Sequence, residues 1–232
     1  MKGYGQFCPL AIASELLGER WTPLVLRELM LGATRFNEIH RGVPRMSPSL
    51  LSKRLQTLQR SGLIQRRRVD GRHAYTLSEA GRALKPVVEQ LAVWSKRWLP
   101  ATLSDGRDDP DLVMWDMHRR MHLDRLPERR TVMRFEFSDQ PTAKQLRWIV
   151  GNRTGVELCI TDPGLEVDLF VLTTSQVITL VWYGDLPLER SLREGLVKLH
   201  GHGRLCRAFP SWLQLSLIAG APREQPVAIP GH

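Results

Sequence analysis

The sequence predicts an α+β chain of two domains. A basic helical domain closed by a β-hairpin spans residues 1–100, and a sheet-and-helix domain spans residues 111–220. Three observations carry this reading. Residues 1–100 hold 17 Lys and Arg against 7 Asp and Glu, whereas residues 101–232 hold 16 against 17, so the net charge of +9 originates in the first half. Asp70-Gly71, set between two runs of strand-forming residues, is a strong hairpin signal. Near Met133-Arg134-Phe135-Glu136-Phe137 the apolar period changes from helical to alternating. A chain of 232 residues with 42% apolar side chains has material for two cores.

Several classes are set aside at the outset. The sequence has no run of about 18 uncharged apolar residues, the length a membrane-spanning helix needs. The first apolar stretch is short and is interrupted by Glu15, unlike a secretory signal. A cytoplasmic protein without a membrane partner is expected. Cys8, Cys159 and Cys206 are too scattered for a disulfide framework. His200 and His202 lack a second ligand pair at usable spacing, so neither a metal nor a cofactor is expected. No glycine-rich phosphate loop, nucleophile elbow or placeable carboxylate pair occurs, so the chain is not expected to be an enzyme.

The first half reads as a series of short helices. Pro9 opens one that runs to Leu17 and ends at Gly18, because its fixed φ suits a first turn. Pro23 does the same for a second, which passes through Leu24, Val25, Leu29 and Met30 and stops at Gly32. A third spans Arg35 to His40. A fourth starts at Ser47-Pro48-Ser49 and ends at Gly62, with Leu51, Leu55 and Leu58 on one face. Ser49, Ser52, Lys53, Gln56 and Arg60 form its opposite stripe, flanked by Arg54. Short hydrogen-bonding side chains and cations match base edges in the major groove. An ordinary amphipathic surface helix would show the same leucine spacing, and the hairpin behind it separates the two readings.

Residues 63–69 form a strand, Asp70-Gly71 a tight turn, and residues 72–77 the returning strand. Arg66, Arg67, Arg68, Arg72 and His73 surround the tip. Cations so crowded repel one another unless an anion neutralises them, and a hairpin of this kind behind a two-faced helix has the form of a wing that grips phosphates. Ser78 then caps a further helix, with Glu79 in its first turn, and Pro86 divides or kinks it. Beyond Pro86, the apolar stripe of Val87, Leu91, Trp94 and Trp98 fits a dimer surface. A dimer would supply the two-fold match to a palindromic operator.

The segments Cys8-Pro9-Leu10, Gly18-Glu19-Arg20-Trp21-Thr22, Leu26-Arg27-Glu28-Leu29, Arg35-Phe36-Asn37-Glu38-Ile39, Ser47-Pro48-Ser49-Leu50-Leu51-Ser52-Lys53-Arg54-Leu55, Gly62-Leu63-Ile64 and Tyr75-Thr76-Leu77-Ser78-Glu79-Ala80-Gly81 closely resemble the HxlR family. Its members are bacterial winged helix-turn-helix regulators related to the MarR type. The resemblance covers roughly residues 7–99. It implies a recognition helix over residues 47–60, a wing over residues 64–77, and a dimer interface built from the first and last helices, with Leu10 contributing. Double-stranded DNA is then the partner, with Arg35, Arg45, Ser47, Pro48, Ser49, Ser52, Lys53, Arg54, Gln56 and the wing cations as contacts. Some relatives use a cysteine at the Cys8 position to sense oxidants, which makes Cys8 a candidate redox sensor.

Residues 101–110 read as a polar linker and residues 221–232 as a flexible tail. Between them, Leu112, Val113, Trp115, Met117 and Met121 suggest a short helix. Strands are expected at Met133–Phe137, Leu146–Val150, Val156–Thr161, Glu166–Val171 and Val177–Trp182. A helix carrying Leu188, Leu192, Leu196 and Leu199 follows, then a short helix from Ala208 to Leu215. The expected product is a sheet covered by helices on one side. The segments Asp162-Pro163-Gly164, Val167-Asp168-Leu169, Trp182-Tyr183-Gly184-Asp185-Leu186-Pro187-Leu188, Leu199-His200-Gly201 and Arg207-Ala208-Phe209-Pro210-Ser211-Trp212-Leu213 resemble sterol-carrier-protein-like domains. That resemblance implies an apolar cavity for a hydrophobic small molecule, with Trp115, Phe135, Trp148, Trp182 and Trp212 as lining candidates, although each also suits a plain core.

The leading reading is a dimeric, sequence-specific transcriptional regulator with an effector-sensing second domain. A sequence-neutral architectural DNA-binding protein is the alternative, and an acyl-transfer enzyme is a more remote one.

Overall fold

The computed structural model describes residues 3–99 and 109–224. The chain divides into two compact units, residues 1–92 and residues 93–232. Most of the expected linker, 101–108, and most of the expected tail, 225–232, lie outside the described residues.

The first unit holds α1 (Pro9–Leu17), α2 (Thr22–Met30), α3 (Phe36–Gly42), α4 (Pro48–Arg60), β1 (Ile64–Val69), β2 (Arg72–Leu77), α5 (Glu79–Ala83) and the start of α6 (Lys85–Trp98). Proline stands in the first turn of α1, α2 and α4, where a missing N–H breaks no bond. Val25, Leu26 and Leu29 of α2 pack with Ile39 of α3, with Leu51, Leu55 and Leu58 of α4, and with Ile64 at the foot of β1. The two strands pair antiparallel from Ile64↔Leu77 to Val69↔Arg72. Asp70 and Gly71 take φ of 50° and 73°, the left-handed pair that a two-residue hairpin turn requires. The expected division at Pro86 is present. Helix α5 closes at Leu84, and Pro86 falls in the first turn of α6.

The second unit contains α7 (Pro110–His118), β3 (Thr131–Phe137), α8 (Thr142–Gln145), β4 (Leu146–Asn152), β5 (Gly155–Cys159), β6 (Leu169–Thr173), α9 (Ser175–Trp182), α10 (Leu188–Arg193), β7 (Lys198–Gly201) and α11 (Gly203–Trp212). Its five strands run in the order β5-β4-β3-β6-β7. Strands β3 and β6 pair parallel, and every other neighbouring pair is antiparallel. Met133, Phe135, Phe137, Ile149, Leu169 and Val171 line one face, in one cluster with Met114 and Met117 of α7, Ile178 and Val181 of α9, and Phe209 and Trp212 of α11. On the alternate positions, Arg134, Glu136, Phe170 and Leu172 stay partly exposed. Helices α7, α9 and α11 thus pack on one side of the sheet, while Val132 and Trp148 are buried on the other.

Five expected elements are corrected. Val177–Trp182 is helix α9, not a strand. Thr174 caps it by accepting from Val177 N at 3.1 Å, and the Asp139 carboxylate accepts from Ser175 N at 2.8 Å. A short apolar run buried on all sides has no period to separate helix from strand. The leucine helix expected over 188–199 ends at Arg193. Gly195, at φ 72°, turns the chain, and Lys198–Gly201 becomes edge strand β7 against β6. The strand expected at Glu166–Val171 lies at Leu169–Thr173, and the last helix spans Gly203–Trp212 instead of Ala208–Leu215. Helix α7 stops at His118, so Met121 lies outside it, bridged to Leu213.

Candidate nucleic-acid interface

Helix α4 is built to present one face. Its N-cap Ser47 accepts from Leu50 N at 3.3 Å, and Leu51, Leu55 and Leu58 are fully buried. Burying three leucines contributes about 5–8 kcal/mol before entropy is counted, which seats the helix firmly. Ser49, Ser52, Lys53, Gln56 and Arg60 are all exposed on the outer face. Pro48 and Arg45 are exposed beside the N-terminus of α4.

Arg54 departs from the expected contact set. Its side chain is only 11% exposed and pairs with Glu19 from the α1–α2 connection. Burial lowers its guanidinium pKa from the usual arginine value, and its Nε has no hydrogen-bond partner. A side chain so placed ties α4 to the α1–α2 connection. Ser47 likewise spends its hydroxyl on the helix cap.

The hairpin carries cations on both of its faces. Arg67 shares a face with Ala74 and Arg72, while Arg66 and Arg68 share the other with Tyr75 and His73. Arg66, Arg67, Arg68, Arg72 and His73 are all exposed. Arg67 Nη2 donates to Gln65 Oε1 at 2.8 Å, and Arg68 Nε donates to Gly71 O at 3.2 Å across the turn. Arg35 is partly buried, and its Nη1 donates to carbonyls of the hairpin tip. Glu38, which the sequence reading left without a role, accepts from Arg35 N at 2.9 Å and from Thr34 N at 2.8 Å, so its carboxylate reaches back to the backbone ahead of α3. Its Glu three residues after the cap position was the signal. At the hairpin foot, Ser78 Oγ donates to Gly62 O at 2.6 Å, and Ser78 N donates to Leu63 O at 3.0 Å.

Apolar residues remain exposed on two helices. Val87, Leu91, Trp94 and Trp98 follow one another along a single stripe of α6, all open to solvent. Leu10 and Ile12 of α1 are also exposed, and Phe7 ahead of it is 98% exposed. Phe7 and Ile12 were not singled out from the sequence, because apolar residues there read equally as core until the structure shows α1 without buried positions. Cys8 is the N-cap of α1 and half-buried.

Among the five expected cavity-lining aromatics, Phe135, Trp182 and Trp212 are packed into the sheet–helix core, with Phe209 6.2 Å from Phe135 and 6.1 Å from Trp212. Trp115 is buried on α7 under the Arg119 guanidinium, 4.9 Å from its ring, and Trp148 is buried on β4. An open groove of about 460 Å³ lies elsewhere, at the C-terminal ends of β3 and β6, lined by Leu172, Val177 and Leu196 together with Glu136 and Lys198. None of the five aromatics lines it. Among the described residues, no cluster of three or more His, Cys, Asp or Glu is placed to hold a metal. No described helix is long and apolar enough to cross a membrane.

A leucine-anchored helix with a polar outer stripe, followed by a cation-bearing hairpin, defines the first unit as a winged helix-turn-helix of the DNA-binding regulator class. Residues 16–103 match the HxlR-like helix-turn-helix family. The uncharacterized HTH-type transcriptional regulator YvaP of Bacillus subtilis is 31% identical over 104 residues, which is 43% of this chain and 96% of that protein. The HTH-type transcriptional regulator YodB of the same organism is 34% identical over 95 residues, 39% of this chain and 85% of YodB. The solved reduced form of YodB is 33% identical over 39% of this chain and 93% of its own, with a TM-score of 0.36. The chain belongs to the HxlR family through its N-terminal hundred residues.

Proposed function

We propose that this protein is a sequence-specific transcriptional regulator that binds a palindromic operator as a homodimer. In this reading α4 enters the major groove, with Ser49, Ser52, Lys53 and Gln56 reading base edges, and Arg66, Arg67, Arg68, Arg72 and His73 of the wing take the flanking backbone. One observation carries it: the outer stripe of α4 and the cations of the hairpin are exposed together in a unit whose excess positive charge has no counterpart within its own sequence. The exposed apolar residues Leu10, Val87, Leu91, Trp94 and Trp98 support the dimer. A regulator of this kind works in the cytoplasm, where bacterial DNA lies.

The second unit is proposed as a sterol-carrier-like sensor of a hydrophobic small molecule, a reading supported by its five-stranded sheet with helices packed on one face and by the partly apolar open groove of about 460 Å³. Such an effector changes DNA affinity only through differential binding to the competent and incompetent arrangements. Catalysis forms no part of this proposal.

The direct test compares affinity for a genomic operator fragment and for a scrambled duplex of equal length at one salt concentration. A preference of about 10³-fold or more fits a specific regulator. Equal affinities would replace this reading with the architectural one.

A further inference from the structure

Arg35 sits at the N-cap of α3, yet its side chain serves the hairpin. Its Nη1 lies 3.3 Å from Val69 O, 3.3 Å from Arg72 O and 3.4 Å from His73 O. Val69 and Arg72 are the last register pair before the Asp70-Gly71 turn, so one guanidinium nitrogen is shared among the carbonyls that flank the tip. The Arg35 backbone is fixed independently through Glu38, which accepts from its N–H at 2.9 Å. The neighbouring Thr34 carbonyl accepts from Tyr75 N at 2.8 Å, so the same corner also holds β2.

We infer that Arg35 is a positioning residue that sets the wing against the helix-turn-helix, and not one of the groups that touch phosphate. This rests on the reading of the hairpin as a DNA-binding wing. The physical need is clear on two counts. A two-stranded hairpin is at best marginally stable alone, and this one crowds Arg66, Arg67, Arg68 and Arg72 onto twelve strand residues. Carbonyl oxygens at its tip would also oppose an approaching phosphate, and a guanidinium among them offsets that field. Arginine suits the task because its side chain is longer than that of lysine and ends in a planar head, which places Nη1 among the three carbonyls from the start of α3. With Nη1 committed to these carbonyls, the end of the guanidinium is drawn toward the hairpin backbone before DNA arrives.

The experiment uses the full chain with Arg35→Ala and Arg35→Lys, and Arg67→Ala as the reference for a direct backbone contact. Amide hydrogen exchange is followed over residues 64–77 without DNA, and affinity for a random duplex is measured across a salt series. Both Arg35 variants should speed exchange at the hairpin tip, tenfold or more for alanine, while α4 amides keep the native rate. The salt slope should fall by more than the single unit expected for one phosphate contact, because several wing contacts go together. Adding Arg67→Ala to Arg35→Ala should then cost less than twofold, although Arg67→Ala alone costs several-fold. Native exchange with a slope change of about one unit would overturn the inference and make Arg35 a phosphate contact. Native exchange and a native slope would overturn it as well. Should no duplex bind at all, the wing reading falls, and the exchange rates still decide what Arg35 holds.

Discussion

Lys96 Nζ lies 3.2 Å from Asp185 Oδ1, with both side chains nearly closed to solvent at 3% and 8% exposure. The ammonium also donates to Tyr183 O at 2.6 Å, Ala219 O at 3.1 Å and Ile218 O at 3.3 Å. The second oxygen of Asp185 accepts from Arg223 Nε at 2.7 Å, and Arg223 Nη1 donates back to Lys96 O at 3.2 Å. The end of α6 is therefore tied to the α9–α10 turn and to the residues after α11 by a buried charge with every donor used.

Removing Lys96 leaves Asp185 with Arg223 alone and strips three buried carbonyls of their donor, a loss below the roughly 3–5 kcal/mol of a wholly unpaired buried charge. Lys96→Ala is expected to lower the calorimetric melting of the second unit accordingly. Lys96→Met, which fills the space and leaves Asp185 with Arg223, should cost less. Equal melting of the wild type and Lys96→Ala would show that this node contributes nothing net.

Arg54 and Lys53 are adjacent on α4 and should separate cleanly. Arg54→Ala loses the partly buried pair with Glu19, so urea unfolding should show about 2 kcal/mol less stability, with base preference unchanged. Lys53→Ala leaves stability alone, costs on the order of 1–3 kcal/mol of operator binding and relaxes preference at particular base pairs. A loss of base preference in folded Arg54→Ala would return that residue to the reading face.

For the wing, Arg67→Ala should weaken binding to all duplexes and reduce the salt slope by about one unit. A sequence-selective loss would contradict its assignment to the backbone.

Burial and the Glu157 carboxylate push the Cys159 thiol above its ordinary pKa. A raised pKa leaves less thiolate at neutral pH, so alkylation of Cys159 should be slower than that of an exposed cysteine at pH 7 and should keep rising above the normal cysteine midpoint. Glu157→Gln removes the repelling charge and should lower that midpoint. A rate at pH 7 equal to that of a free thiol would contradict this environment.

The first unit was legible because its signals coincide. Pro9, Pro23 and Pro48 open helices, Gly18, Gly32 and Gly62 follow their ends, and Asp70-Gly71 closes a hairpin between two strands. Arg54 shows where one-dimensional reading stops. Its place three residues after Leu51 put it near the apolar face, but its partner Glu19 lies 35 positions away and only the fold brings them together. In the second unit, Val177–Trp182 is apolar at nearly every position, and the deciding feature was the capping hydroxyl of Thr174 instead of any period. Leu196 and Leu199 kept helical spacing past a glycine whose positive φ ends the helix. The burial of Lys96 was not legible in the sequence, because its acceptors come from residues 183–185 and 218–219.

The central claim is a symmetric dimer reading DNA through α4, and selection of bound fragments from a random duplex library tests it most directly. The full chain is used at physiological salt. The account predicts a palindrome with half-sites about one helical turn apart, degraded in fragments selected by Lys53→Ala. Efficient recovery of fragments that share no motif would contradict it.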